Sequence, residues 1–150
     1  MKALSLHQPW ATMIAIGLKQ LETRHWSTNY RGPLAIHAAQ KWTKAQRTFT
    51  EELFNEDVVG HVLRQYGYTA PGQLPFGAVV CTVRLAQVMI TEHVVKSHWM
   101  RVNSVERMLG DYSAGRYAWQ LLDLKRFEQP IKAIGHQGFW VWNGESNDNG

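Results

Sequence analysis

The spacing of hydrophobic and polar positions changes period several times along the chain, and each change marks an element. Residues 2–7 alternate, with Leu4 and Leu6 on one side and Ala3, Ser5 and His7 on the other, which predicts a short strand with one buried face. Pro9 then opens a run in which Trp10, Met13 and Ile14 share one stripe at helical spacing, and Gly17 follows its end. From Lys19 the period returns to two, predicting a strand to about Trp26. Residues 27–32 read as a turn region and residues 33–38 as another short strand.

Residues 42–66 carry a helical pattern with Phe49, Leu53, Val59, Val62, Leu63 and Tyr66 as buried positions, and Gly60 is the candidate break between two helices. A loop rich in proline and glycine covers residues 69–77. Residues 78–90 predict a long strand buried on both faces, because Val79, Val80, Val83, Leu85 and Val88 fall on alternate sides. Residues 91–110 read as a polar, helical insertion around Val105, and residues 116–124 and 131–142 as two closing strands. Strands and helices do not alternate as βα units, so the class is α+β: one domain over residues 1–144, with a polar tail over residues 145–150 expected to be flexible.

Composition narrows the functional classes. Charged residues are 19% and hydrophobic residues 45% of 150, a globular balance. The formal charge of +4, from 16 Lys+Arg against 12 Asp+Glu, permits a phosphate-bearing partner without requiring one. Seven tryptophans are many for this length; most are expected in the core, and two or three on a ligand face beside the cations. Cys81 is the single cysteine, which excludes an intramolecular disulfide and a cysteine-based zinc site. No apolar run reaches the ~20 residues that span a bilayer, and the N-terminal residues lack a signal-peptide core, so no membrane association and a cytoplasmic location are expected.

Candidate chemistry gathers between Ser5 and Trp26. Glu22 and Arg24 lie two apart on a strand, hence on one face, and Lys19 stands where the chain leaves Gly17. A carboxylate between two cations lets Arg24 hold a phosphate or base edge in a fork, with Glu22 accepting from an exocyclic amine. A desolvated Lys19 would have a lowered pKa and could act as a base. His7 and Gln8 flank the helix start, and Trp10 would form a wall beside them. On spacing alone, a solvated charged face explains the same pattern. His37 alternates with Ala35 on its strand, Lys41 precedes Lys44 and Arg47 at the start of the long helix, and Tyr117 shares a face with Trp119; each is a further candidate ligand contact. His93 and His98 are five apart, which suits no same-face metal pair, so no metal and no other cofactor is expected. There is no phosphate-cradling glycine loop.

The stretch Gly17-Leu-Lys19-Gln-Leu-Glu22-Thr-Arg24 resembles the Gly-x-Lys-x-x-Glu-x-Arg signature of ASCH domains, a family of the PUA-like superfamily. Leu4-Ser-Leu-His-Gln-Pro-Trp-Ala, Arg31-Gly-Pro-Leu-Ala-Ile-His-Ala-Ala, Tyr117-Ala-Trp-Gln-Leu and Gln137-Gly-Phe-Trp resemble further family segments in the same order. The resemblance implies a small β-barrel with flanking helices whose cleft binds RNA, another single-stranded nucleic acid or a modified nucleoside. It also leaves open an amidohydrolase acting on N4-acetylcytidine-like nucleosides, a ribonuclease, or a protein-interaction module of cointegrator type. In the deacetylating members a lysine, a threonine and a glutamate act together. Lys19 matches the lysine; the threonine position falls at Glu22, and Thr23 points to the opposite strand face. Glu106 and Glu92 are the candidates for the distal glutamate.

Overall fold

The computed structural model describes residues 1–145; most of the expected tail therefore lies outside the described residues. Six strands form one sheet in the order β2-β5-β4-β3-β1-β6, from β1 (Lys2–Leu6), β2 (Leu21–Arg24), β3 (Gly32–Ala38), β4 (Ala78–Ile90), β5 (Tyr117–Lys132) and β6 (Phe139–Val141). β1 runs parallel to β3 and every other pair is antiparallel. In a flat sheet β2 and β1 would stand four strand spacings apart, roughly 19 Å. Instead the Arg24 guanidinium on β2 donates to the Ser5 carbonyl on β1 at 3.1 Å. The sheet therefore curls into a half-barrel. Its two edges meet through rings rather than a ladder: Trp26, just past β2, packs edge-on against Phe139 of β6 at 5.5 Å and against Trp119 of β5 at 4.8 Å. Register shifts in β4–β5 pairing supply bends that curling needs.

Helix α1 (Trp10–Ala15) plugs the concave side. Ala11, Ile14 and Ala15 face the sheet cluster with Leu34, Ile36 and Trp119. Met13 belongs to a second cluster with Leu53, Val59 and Leu63 from α2 (Lys44–Asn55) and α3 (Asp57–Gln65). The helix thus joins two apolar layers, which leaves its start free to face the end of the sheet. At its other end Gly17 takes φ +83, a left-handed turn that sends Lys19 back toward β2.

The break between α2 and α3 falls at Glu56, not at the expected Gly60. The Glu56 side chain accepts from the Val59 N–H and caps α3. Gly60 is instead a buried contact point, where a Cβ would run into the Phe54 carbonyl oxygen of α2. The strand over Ala78–Ile90 forms as expected, but only its first half is buried on both faces. The two expected closing strands are drawn differently: β5 runs continuously to Lys132, and a loop over residues 133–138 precedes β6. Three short helices, α4 (Thr91–Val94), α5 (His98–Val102) and α6 (Ser104–Met108), make up the polar insertion between β4 and β5.

Candidate functional site

A cleft of about 1380 Å³ opens at one end of the half-barrel, between β2, the start of α1, the chain leading into α2, the turn after α6 and the loop that follows β5. Glu22, Arg24, His7, Trp10, His37 and Lys41 all line it, so six of the nine sequence-predicted residues come together. On its floor the Arg24 Nη2 lies 3.8 Å from a Glu22 carboxylate oxygen while donating to Ser5 O. The guanidinium is therefore aimed by β1 and by its same-face neighbour on β2. Its Nε is buried and has no partner among the described residues.

Around that floor the cations Arg24, Lys41, Arg116 and Lys132 outnumber the carboxylates Glu22 and Asp111. Arg116 is braced by Asp111 at 3.4 Å and donates to the Thr23 carbonyl at 3.1 Å. Trp10 stacks on Phe49 of α2, with centroids 5.7 Å apart and planes 25° apart, and both rings line the cleft. Trp26 lines it as well. Trp119, Trp140 and Trp142 are core, three of the seven where most were expected; Trp42 is half-buried and Trp99 exposed.

Lys19 lies behind this wall rather than on it. Its side chain is fully buried and its amine makes no hydrogen bond among the described residues. Glu106 of α6 stands 4.0 Å away. That carboxylate also accepts from the backbone N–H groups of Gln20 at 2.8 Å and Leu21 at 2.9 Å, and from the Tyr112 hydroxyl at 3.2 Å. Burial pushes the Lys19 pKa below its ordinary value, although Glu22 and Glu106 pull it back up. Burial and the neighbouring Glu106 likewise hold the Tyr112 phenol in its protonated form. Glu22, Leu109 and Gly110 line the cleft on this side. A Cβ at Gly110 would sit 3.2 Å from the Lys19 amine. Of the two candidate distal glutamates, Glu106 is the one beside Lys19. Glu92 is half-buried and accepts from Gly115 and Thr91.

Gln8 and Tyr117 are not brought to the cleft. The Gln8 amide is spent at both ends, donating to Pro75 O at 2.7 Å and accepting from Thr12 N–H at 3.0 Å. Tyr117 is half-buried against the sheet cluster. His37 reaches the cleft wall but is tied on both nitrogens. A carbonyl only accepts, so Nε2 carries the proton donated to Ala133 O at 2.7 Å, and Nδ1 accepts from the Ser5 hydroxyl at 2.9 Å. Burial lowers its pKa and keeps it neutral. Sequence reasoning missed Asp111, Arg116, Lys132 and the 133–138 loop as cleft elements. They carry no local signature and enter only because the sheet curls.

Residues 4–131 match the model of the ASCH domain. The chain belongs to the ASCH domain family. Activating signal cointegrator 1 from Mus musculus is 34% identical over 82 residues, and the protein of that name from Homo sapiens 33% over 82 residues. The match covers 55% of this chain but 13% of either relative, so this chain corresponds to a small part of those longer proteins. The crystal structure of ASCH from Zymomonas mobilis is 17% identical with a TM-score of 0.44, covering 89% of this chain and 71% of that one. A single-residue variant of the same protein is 15% identical, also with a TM-score of 0.44, covering 89% and 73%. Among the described residues, no group of three or more His, Cys, Asp or Glu is placed to hold a metal ion, and no helix is long and apolar enough to cross a membrane.

Proposed function

We propose that this ASCH domain binds single-stranded RNA or a modified nucleoside in the cleft and that it works in the cytoplasm, where such ligands are met. The observation that carries the reading is the Arg24 guanidinium, held on the cleft floor between Ser5 O and Glu22 with its Nε buried. A preorganised fork of this kind suits a phosphate or the acceptor edge of a base, and the adjacent Glu22 carboxylate accepts from an exocyclic amine. Trp10 backed by Phe49 is a stacking platform, and the surplus of cations draws the phosphates in. A panel of modified nucleosides and short RNAs, followed by quenching of tryptophan fluorescence and by chromatography of the mixture, tests it. Saturable binding of at least one of them at micromolar protein supports the reading; absence of binding across the panel refutes it.

A second reading is favoured by one feature, the buried Lys19 amine, which lies near two carboxylates and makes no hydrogen bond among the described residues. An amine in that position weakens the fold, which is the pattern of groups retained for chemistry. In an amide hydrolysis at an N-acylated cytidine, Glu22 on the cleft face would take a proton from the attacking water. Lys19 behind it would set the charge of that carboxylate. The acyl carbon gains the water oxygen, the C–N bond breaks, and the freed amine takes up the proton. Release of acetate from N4-acetylcytidine in the same chromatograms, lost in Glu22→Gln and Lys19→Met, is the expected result. No release by the wild-type protein removes this reading and leaves the binding one standing.

A further inference from the structure

The surface beside the cleft points to the extent of its ligand. A second, shallow depression lies on α2, lined by Lys44, Ala45, Thr48, Phe49 and Glu52. Phe49 lines both concavities, so the depression adjoins the cleft across that ring. Lys41 stands on the cleft side of that junction, and Lys44 and Arg47 continue the line of cations along the helix, three residues and about one turn apart. Arg47 rests on the face of Trp42, 4.9 Å from its centroid, which fixes a guanidinium that would otherwise be free to swing. All three cations are exposed, and neither Lys44 nor Arg47 is in a salt bridge among the described residues.

Their position works against the helix. The first turn of α2 carries no acidic residue, and cations at the positive end of the helix dipole are unfavourable to the helix. The cleft, at about 1380 Å³, exceeds the roughly 300–1,000 Å³ of small-ligand pockets and leaves room beside a single nucleoside.

We infer that the occupant is a single-stranded polynucleotide several residues long, leaving the cleft over Phe49 and the first turns of α2, with successive phosphates on Lys41, Lys44 and Arg47. The inference rests on the reading of the cleft as a nucleic-acid site and adds its length and exit. Glu52, at the far end of the depression, repels a further phosphate and sets the end of the track.

Fluorescence anisotropy tests this with mixed-sequence octamers of RNA and of DNA, and with a mixed dinucleotide pool. The proteins compared are wild type, Arg24→Ala and the double variant Lys44→Ala/Arg47→Ala. Two lost phosphate contacts on a single strand lower the salt slope by about 1.4 and weaken octamer binding on the order of 25-fold at 0.1 M salt. In the double variant the dinucleotides should be held within twofold of wild type, whereas Arg24→Ala weakens both lengths. An octamer affinity and slope unchanged in the double variant, with Arg24→Ala still impaired, overturn the track alone. Wild-type protein that binds neither octamer overturns the track, and if it also binds none of the modified nucleosides the cleft reading falls with it. Which octamer binds more tightly names the sugar.

Discussion

Replacing Lys19 by methionine removes a charge and keeps the length of the side chain, and the structure indicates that the fold will not miss it. The amine is buried, makes no hydrogen bond among the described residues and approaches Glu106 only to 4.0 Å. Its two carboxylate neighbours have other partners: Glu106 takes two backbone N–H groups and a phenol, and Glu22 lies against Arg24. Desolvation outweighs attraction at Lys19, so an apolar isostere is expected to leave stability within about 1 kcal/mol of wild type or to raise it. Glu106→Ala is the opposite case. It strips two charge-assisted bonds from the N–H groups that lead into β2 and leaves the ammonium with Glu22 alone. At about 1.5–3 kcal/mol per bond the loss is on the order of 3–6 kcal/mol, a large part of the ~5–15 kcal/mol that holds a domain together.

Urea denaturation at constant m-value measures both. The pH dependence adds a second check. Because the folded pKa of Lys19 is depressed, the unfolded chain binds the extra proton between that value and 10.5. Wild-type stability should therefore rise through that window relative to Lys19→Met. A Lys19→Met midpoint that falls as far as that of Glu106→Ala, or a gap that does not close at alkaline pH, would refute the reasoning. Full stability with lost function would mark Lys19 as a residue of the site.

Two further outcomes concern the frame around the cleft. Gly60→Ala should lower stability by about 1–3 kcal/mol in thermal melts, because the new methyl meets the Phe54 carbonyl; a gain of about 1 kcal/mol, the usual helix preference for alanine, would contradict this. Burial depresses the His37 pKa, so as pH falls below about 6.5 the unfolded chain takes up a proton that the folded one refuses. Stability should drop there with a slope of up to about 1.4 kcal/mol per pH unit, and the slope should be shallower in His37→Asn.

Much of the scaffold can be read from the chain because it is written in local periods. The alternation around Leu4 and Leu6, the stripe of Trp10, Met13 and Ile14, and the run from Ala78 to Ile90 all lie where the pattern sets them. Glu22 and Arg24 share a face because strand side chains alternate, and their contact follows. Gly60 misled because a glycine inside a helix signals either a break or a close approach, and only the packing of α3 on Phe54 tells which. Lys19 and Glu106 are 87 positions apart, and their meeting depends on the insertion folding back over β2, which no local period encodes. Gln8 looked available because its two hydrogen-bond partners, Pro75 and Thr12, lie in different elements. Arg116 and Lys132 stand at opposite ends of β5, and only the curl of the sheet brings both to one cleft.

The most direct measurement is the salt dependence of RNA binding by Arg24→Ala beside wild type, in titrations of a short single strand from 50 to 200 mM salt. Arg24→Ala should bind more weakly, with a log–log slope flatter by about 0.7, the share of one phosphate contact. Equal affinity and equal slope in the two proteins would contradict it, because the guanidinium on the cleft floor would then hold nothing.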